Sequence, residues 1–265
     1  RGESFRQIRL FPNWKNISFQ GRIHETLGPS ISDAGISIRH SAVRIIHTGY
    51  NTEVARKAKS LRNHELLKIE VAEYPDSPAV NMEMGNSYHQ LGMYNEAIQH
   101  YNKVRTIPNS EHLQRDIYRS IPSLIGATLL AKGDIEGAEA AFRESIDNFP
   151  EKPSPYFHMA EIAMKRNDIA TLLAMSSRLI TLREEVSTVA SDFNGMVAHA
   201  YAWSGTISLI RGDAETAANL FAESESRKLP PAFKYETALE AAKKAGMNDL
   251  SDYFERKLID EGKRR

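Results

Sequence analysis

The stretch "FQGRIHET", Phe19 to Thr26, sets a guanidinium, an imidazole and a carboxylate (Arg22, His24 and Glu25) within four positions of one another, just after Gly21. Side chains of these types do acid–base and electrostatic work: a carboxylate can take a proton as general base, and cations can stabilise developing negative charge. The same residues also suit the polar end of a strand, where Arg22 and Glu25 merely pair. "HETLG" begins like a zinc-protease helix, but the position four after His24 is Gly28, so the second ligand is missing. The 265 residues contain no Gly-rich phosphate loop, nucleophile elbow or Asp-x-Asp pair, and the lack of cysteine removes thiolate chemistry and cysteine-bound metals. His40, His64, His89, His100, His112, His158 and His199 are scattered along the chain and are expected to be structural or exposed. His47 differs, standing in "IIHTGY" at the end of an apolar run. Asn16-Ile17-Ser18 is formally a glycosylation acceptor, read as coincidence.

The element that would position Arg22, His24 and Glu25 has the grain of β-structure. "SFRQIRLF" sets Phe5, Ile8 and Leu10 among polar residues, "GISIRH" alternates Ile36 and Ile38 with Ser37 and Arg39, and "AVRIIHTGY" supplies Val43, Ile45 and Ile46. "FPNWKN", "LGPS" and "SDAG" read as the intervening turns. A few short strands make no stable domain alone. Residues 1–50 are therefore expected to close the edge of a sheet whose other strands lie upstream, and "RGESFRQIRL" reads as the middle of a longer protein. From Asn51 the texture changes to helix: Val54, Ala58, Leu61, Leu66, Ile69 and Ala72 are spaced among charges, with a stop at Pro75. Residues 51–75 are expected to form a linker helix.

A repeat occupies 76–265. Gly85, Tyr88, Gly92, Ala97 and Tyr101 recur in spacing as Gly126, Leu129, Gly133, Ala138 and Phe142, and again as Gly205, Ser208, Gly212, Ala217 and Phe221. A weaker copy carries Ala160, Ala163, Asn167, Leu172 and Ser176, and a fifth pair follows Pro230 and Pro231. Each copy reads helix, turn ("LGMY", "KGDI", "RNDI", "RGDA"), helix. The small residue lets the second helix approach, and the later aromatic fills the groove. The steps between copies are uneven, the extra residues falling near "NSEHLQR" and "REEVSTVASD", where lengthened helices or loops are expected. This pattern resembles the tetratricopeptide repeat, without its opening Trp.

Stacked helical pairs present a groove lined by the first helix of each pair. Met82, Asn86, His89, Ser123, Ala127, Phe157, Glu161, Ala202 and Thr206 are expected to face it and to take a protein or peptide. A spacer or dimer surface is the other reading. The carboxylate-gripping mode of some such domains is not expected, because Asn86 has no Lys or Arg beside it. Lys plus Arg and Asp plus Glu balance at 34 each, so no net field favours nucleic acid. The longest apolar runs fall far short of the roughly 20 residues a membrane span needs, and a cytoplasmic setting is expected.

The order "RLFPN…FQGRIHE…IIHTGY", then a Lys/Arg-rich helix, "RNHELL" and the repeats, resembles the C-terminal half of bacterial family-2 glycosyltransferases that carry tetratricopeptide repeats. The matching residues are Arg9, Leu10, Phe11 and Asn13, then Gly21 to Glu25, then His47, Gly49 and Tyr50. The resemblance implies a mainly α chain, a tetratricopeptide-like α-α superhelix preceded by a β-rich remnant of a GT-A α/β domain. It implies a nucleotide-sugar donor and Mg or Mn. Glu25 would act as base or orient the acceptor, His24 would meet the metal or diphosphate, and Arg22 would offset diphosphate charge. The donor-binding strands and Asp-x-Asp segment of that family would precede Arg1, so this chain alone is expected to be inactive and to need no cofactor. A non-enzymatic interaction module is the alternative.

Overall fold

Serine, aspartate and proline start many of the helices of this protein. The computed structural model describes residues 8, 10–14, 16–19, 27–39, 53–183, 189, 192–227 and 234–262. The chain divides into two compact units, Arg1–Asp134 and Ile135–Arg265.

The first unit contains α1 (Gly28–Asp33), α2 (Glu53–Glu73), α3 (Pro78–Gln90), α4 (Tyr94–Thr106), the short α5 (Ser110–Leu113) and α6 (Arg115–Lys132). α2 packs on α3, α3 on α4 and α4 on α6. The second unit contains α7 (Ile135–Asn148), α8 (Pro153–Lys165), α9 (Ile169–Thr181), α10 (Phe193–Ile210), α11 (Ala214–Arg227), α12 (Tyr235–Lys244) and α13 (Asn248–Gly262). There α8 packs on α9, α9 on α10, and α10 through α13 each on the next.

Local chemistry sets these boundaries. Ser77 precedes Pro78 and accepts the Val80 amide at 3.4 Å, while Asp168, Asp192 and Asp213 each accept the amide three residues on at 3.1 Å. The turn inside each pair repeats one hydrogen bond. Met93, Asp134, Asp168, Asp213 and Met247 donate to the carbonyls of Tyr88, Leu129, Ala163, Ser208 and Ala242 at 2.9–3.0 Å. This six-residue closure needs a left-handed residue at its C-terminal end. Gly supplies it four times, as at Gly92 (φ 76°), and Asn167 supplies it in the weaker copy with φ 56°.

Packing explains the small residue. A Cβ on Gly85 of α3 would sit 2.6 Å from Cδ1 of Tyr101 on α4, and one on Gly205 of α10 would sit 3.1 Å from Cε1 of Phe221 on α11. Where Ser176 replaces the aromatic, Ala160 is accommodated, and both are fully buried. In the last pair Ala238 and Phe254, sixteen residues apart like Gly85 and Tyr101, share one core cluster. The longer steps between copies match α6 and α10, each 18 residues against 13 in α3 and α8.

The expected β-rich remnant is not found: no described residue belongs to a strand. "LGPS" and "SDAG", read as turns between strands, instead border α1. Leu27 and Ile31, one helical turn apart, bury against Ile17, with Ile8, Ala34 and Ile36 packed around them. Ser30 donates to the Ser18 carbonyl at 2.8 Å and Ser18 N donates back to the Ser30 hydroxyl at 3.2 Å, tying α1 to the preceding segment. Ile36 to Arg39 alternate but are not assigned to a strand, and among the described residues none pairs with them; alternation alone supplies no ladder. The other two expected strands fall largely or wholly outside the described residues.

Candidate protein-interaction faces

Arg22, His24 and Glu25, together with His47, lie outside the described residues. Among the described residues no group of three or more His, Asp or Glu is arranged to hold a metal ion, and no helix is long and apolar enough to cross a membrane.

In the first unit, most of the side chains expected to line a groove serve the fold. Met82 and Ser123 are 5% exposed. Asn86 is half-buried, and its Oδ1 accepts the Tyr101 hydroxyl at 2.8 Å. That hydroxyl belongs to the ring that fills the α3–α4 groove, and burial raises its pKa. His89 places Nδ1 2.8 Å from Thr128 Oγ1, while that hydroxyl donates to the Leu124 carbonyl at 2.8 Å. The network therefore puts the imidazole hydrogen on Nδ1 and leaves Nε2 as an acceptor. Burial lowers the His89 pKa, favouring the neutral ring.

The second unit brings aromatic side chains together on the first helices of two consecutive pairs. Phe157 of α8 stacks on Trp203 of α10, with centroids 5.6 Å apart and planes inclined by 25°. His199 meets Phe157 at 5.4 Å and Trp203 at 5.6 Å. Its Nδ1 donates to the Gly195 carbonyl at 2.8 Å, since a carbonyl can only accept, so the neutral ring carries its lone pair on Nε2. All three rings are half-buried, and Thr206 and Ile210 beyond them are exposed. His199, Trp203, Thr206 and Ile210 follow one another at helical spacing, which places them on one stripe of α10. Glu161 accepts from His158 Nδ1 at 2.8 Å, and His158 stacks on the buried Phe142 at 5.2 Å. Those contacts make His158 and Glu161 a packed pair as well as a polar border.

His199 and Trp203 were absent from the residues expected in the groove, where Ala202 stood in their place. The signal was available: "HAYAWSGT" carries His199, Trp203 and Thr206 at i, i+4 and i+7. Of the two residues expected on α10, Thr206 lies on this stripe and Ala202 lies beside it, next to Trp203 in sequence.

The last two pairs are tied by a carboxylate. Glu225 of α11 accepts the Tyr253 hydroxyl at 2.6 Å, the Tyr235 hydroxyl at 3.4 Å, and pairs with Lys257 at 3.1 Å. Burial pushes its pKa up, but the hydrogen bonds from Tyr253 and Lys257 outweigh that and hold it below the usual value. This cluster consumes its own polar groups and is a structural joint.

Comparison with known proteins agrees with the helical arrangement. Residues 78–107, which are α3, α4 and their turns, match the tetratricopeptide repeat family. The C-terminal part of a TPR repeat-containing protein from Cytophaga hutchinsonii is similar in structure, with a TM-score of 0.52 and 13% identity over 77% of this chain and 75% of that one. Crystal structures of MamA (TM-score 0.47, 12% identity, 69% of this chain and 96% of that one) and of the APC/C hetero-tetramer Cut9-Hcn1 (0.46, 14%, 78% and 39%) align more loosely. No curated protein matches the chain. Residues 78–107 thus match a tetratricopeptide repeat, and among the described residues, nearly all of them helical, the other helical pairs are built in the same manner.

Proposed function

We propose that the chain is a protein-interaction scaffold that holds an extended peptide segment on the α8–α10 face of its second unit. The Phe157–Trp203 stack with His199 beside it carries this reading. Phe157 and Trp203 pack at their bases on the core and are partly exposed, and aromatic side chains so placed dominate binding energies when a partner covers them. His199 Nε2 adds an acceptor for a peptide N–H. A peptide library selected against the whole chain tests it. Phe157→Ala with Trp203→Ala is expected to weaken selected peptides at least tenfold, about 1.4 kcal/mol or more, with the helical circular dichroism unchanged. Equal binding by the double variant removes the reading. Asn86→Ala is a poor probe of a groove, because it removes an acceptor of the Tyr101 hydroxyl and lowers stability by about 1 kcal/mol.

A second reading rests on the order of "RLFPN", "FQGRIHE" and "IIHTGY" before the repeats: the chain is part of a glycosyltransferase. Glu25 would serve as base or acceptor-orienting group, with His24 and Arg22 at the diphosphate and Mg or Mn as counter-ion. Calorimetry of nucleotide sugars with Mn against the longest natural polypeptide containing this chain tests that reading. Absence of binding for the common donors removes it, and a Glu25→Gln variant with unchanged transfer removes Glu25 as base.

A further inference from the structure

Three helices of the first unit meet on one stack of rings. His64 of α2 contacts Tyr88 of α3 edge to face, with centroids 4.7 Å apart, and His100 of α4 stacks on Tyr88 at 5.4 Å and 24°. Each imidazole is also fastened to α3 through Nδ1, His64 at 3.0 Å from Ser87 Oγ and His100 at 3.2 Å from Asn81 Oδ1. Asn81 is fully buried, and its amide nitrogen donates to the carbonyls of Pro75 and Ser77 at 2.8 and 2.9 Å. Its oxygen must then accept, so the neutral His100 ring carries its hydrogen on Nδ1. His64 is 6% exposed and, like Leu67 of the same helix, is buried.

We propose that the His64–Tyr88–His100 stack is an acid-released latch, in which His64 holds α2 on α3 while its imidazole is neutral and lets α2 open when it takes up a proton, with His100 bracing the Tyr88 ring. The charged groups that face the stack lie on α2 and α4. On α2, Lys68 opposes a proton on His64 and Glu65 favours it, but Glu65 is itself bound to Lys68 at 2.8 Å. On α4, Lys103 opposes a proton on His100, and the His64 ring opposes it too. From α3 comes the Tyr88 ring, against which both imidazoles pack. Burial is the leading cause that lowers the pKa of both histidines, ahead of the lysines.

The sign follows. Both folded values lie below the ordinary 6.5, and His64 regains it when α2 opens and its contacts with Ser87 and Tyr88 break. The open state therefore binds more protons in the window from 6.5 down to the folded values. Opening is favoured as pH falls through that window, and the closed latch has its full stability above it. His89 is a separate buried imidazole, bonded to Thr128 of α6 and edge-on to Tyr94. Acid loads it as well, so the test must resolve α2.

Hydrogen exchange of the whole chain, corrected for intrinsic rates, at about pH 7.5 and about pH 5 reads the latch segment by segment. Residues 59–73 are expected to lose protection by about tenfold or more at the acid pH, while 156–181 keep theirs. His64→Phe retains an aromatic ring without a titrating nitrogen and is expected to keep α2 protected at both pH values. Should that variant pack poorly at neutral pH, ¹⁵N titration of the wild-type rings decides: His100 is expected to be an Nδ1–H tautomer, and both rings are expected to titrate below 6.5. Unchanged α2 protection in acid, an equal loss in His64→Phe, or titration of the two rings at or above 6.5 each overturns the latch.

Discussion

At the scale of the residue, the repeat is a rule about one pair of positions. Gly85 faces Tyr101 and Gly205 faces Phe221, whereas Ala160 coexists with Ser176. The absence of a Cβ and the presence of a ring are two halves of one contact. Gly85→Ala gains helix propensity of about 1 kcal/mol, yet it drives a methyl group into the Tyr101 ring, and overpacking costs about 1–3 kcal/mol. We expect a net loss of stability in urea denaturation. Combining it with Tyr101→Ser should lose clearly less than the sum of the single changes, because the serine removes the clash. Strict additivity would mean that the two positions do not share this contact. The pairing was legible in the spacing of the sequence. The diversion of Asn86 into the Tyr101 hydroxyl was not, since a residue on the expected groove face can turn toward its own repeat.

At the scale of the element, the turns carry the information. Five turns close with the same hydrogen bond, and four place Gly at the left-handed position. Asn167 is the exception that explains the rest, because asparagine is the residue other than glycine that tolerates this conformation best. Asn167→Gly is expected to change the melting temperature little. Asn167→Val should destabilise by about 1–2 kcal/mol, since a β-branched side chain pays the full left-handed penalty. A valine variant melting with the wild type would count against this account of the turn. The same scale shows why α1 was misread. "LGPSISDAG" is short and rich in turn-forming residues, and its helix rests on Leu27 and Ile31 reaching Ile17, a contact made outside the local sequence.

At the scale of the whole molecule, the balance of 34 basic and 34 acidic residues leaves shape and local chemistry to choose a partner. The second unit has its own core clusters, from Tyr156, Leu179, Val197 and Ala200 to the Ala217–Phe254 group. We expect residues 135–265, expressed alone, to remain helical, to melt cooperatively and to bind the selected peptides as the full chain does. A fragment without a cooperative transition would show that its stability depends on residues outside it.

The sequence by itself determined the repeat, its small-to-aromatic pairing, its turns and the helix over the segment before it, because each is written in spacings of a few residues that obey helical geometry. Tertiary packing decided which side chains are buried and which meet one another. Trp203 rather than Ala202 meets Phe157, Met82 and Ser123 are buried, and His64 and His100 converge on Tyr88 from two other helices. These outcomes depend on the rotation of each helix against its neighbours, which the packing of buried side chains fixes and helical periodicity alone leaves free by a residue in either direction.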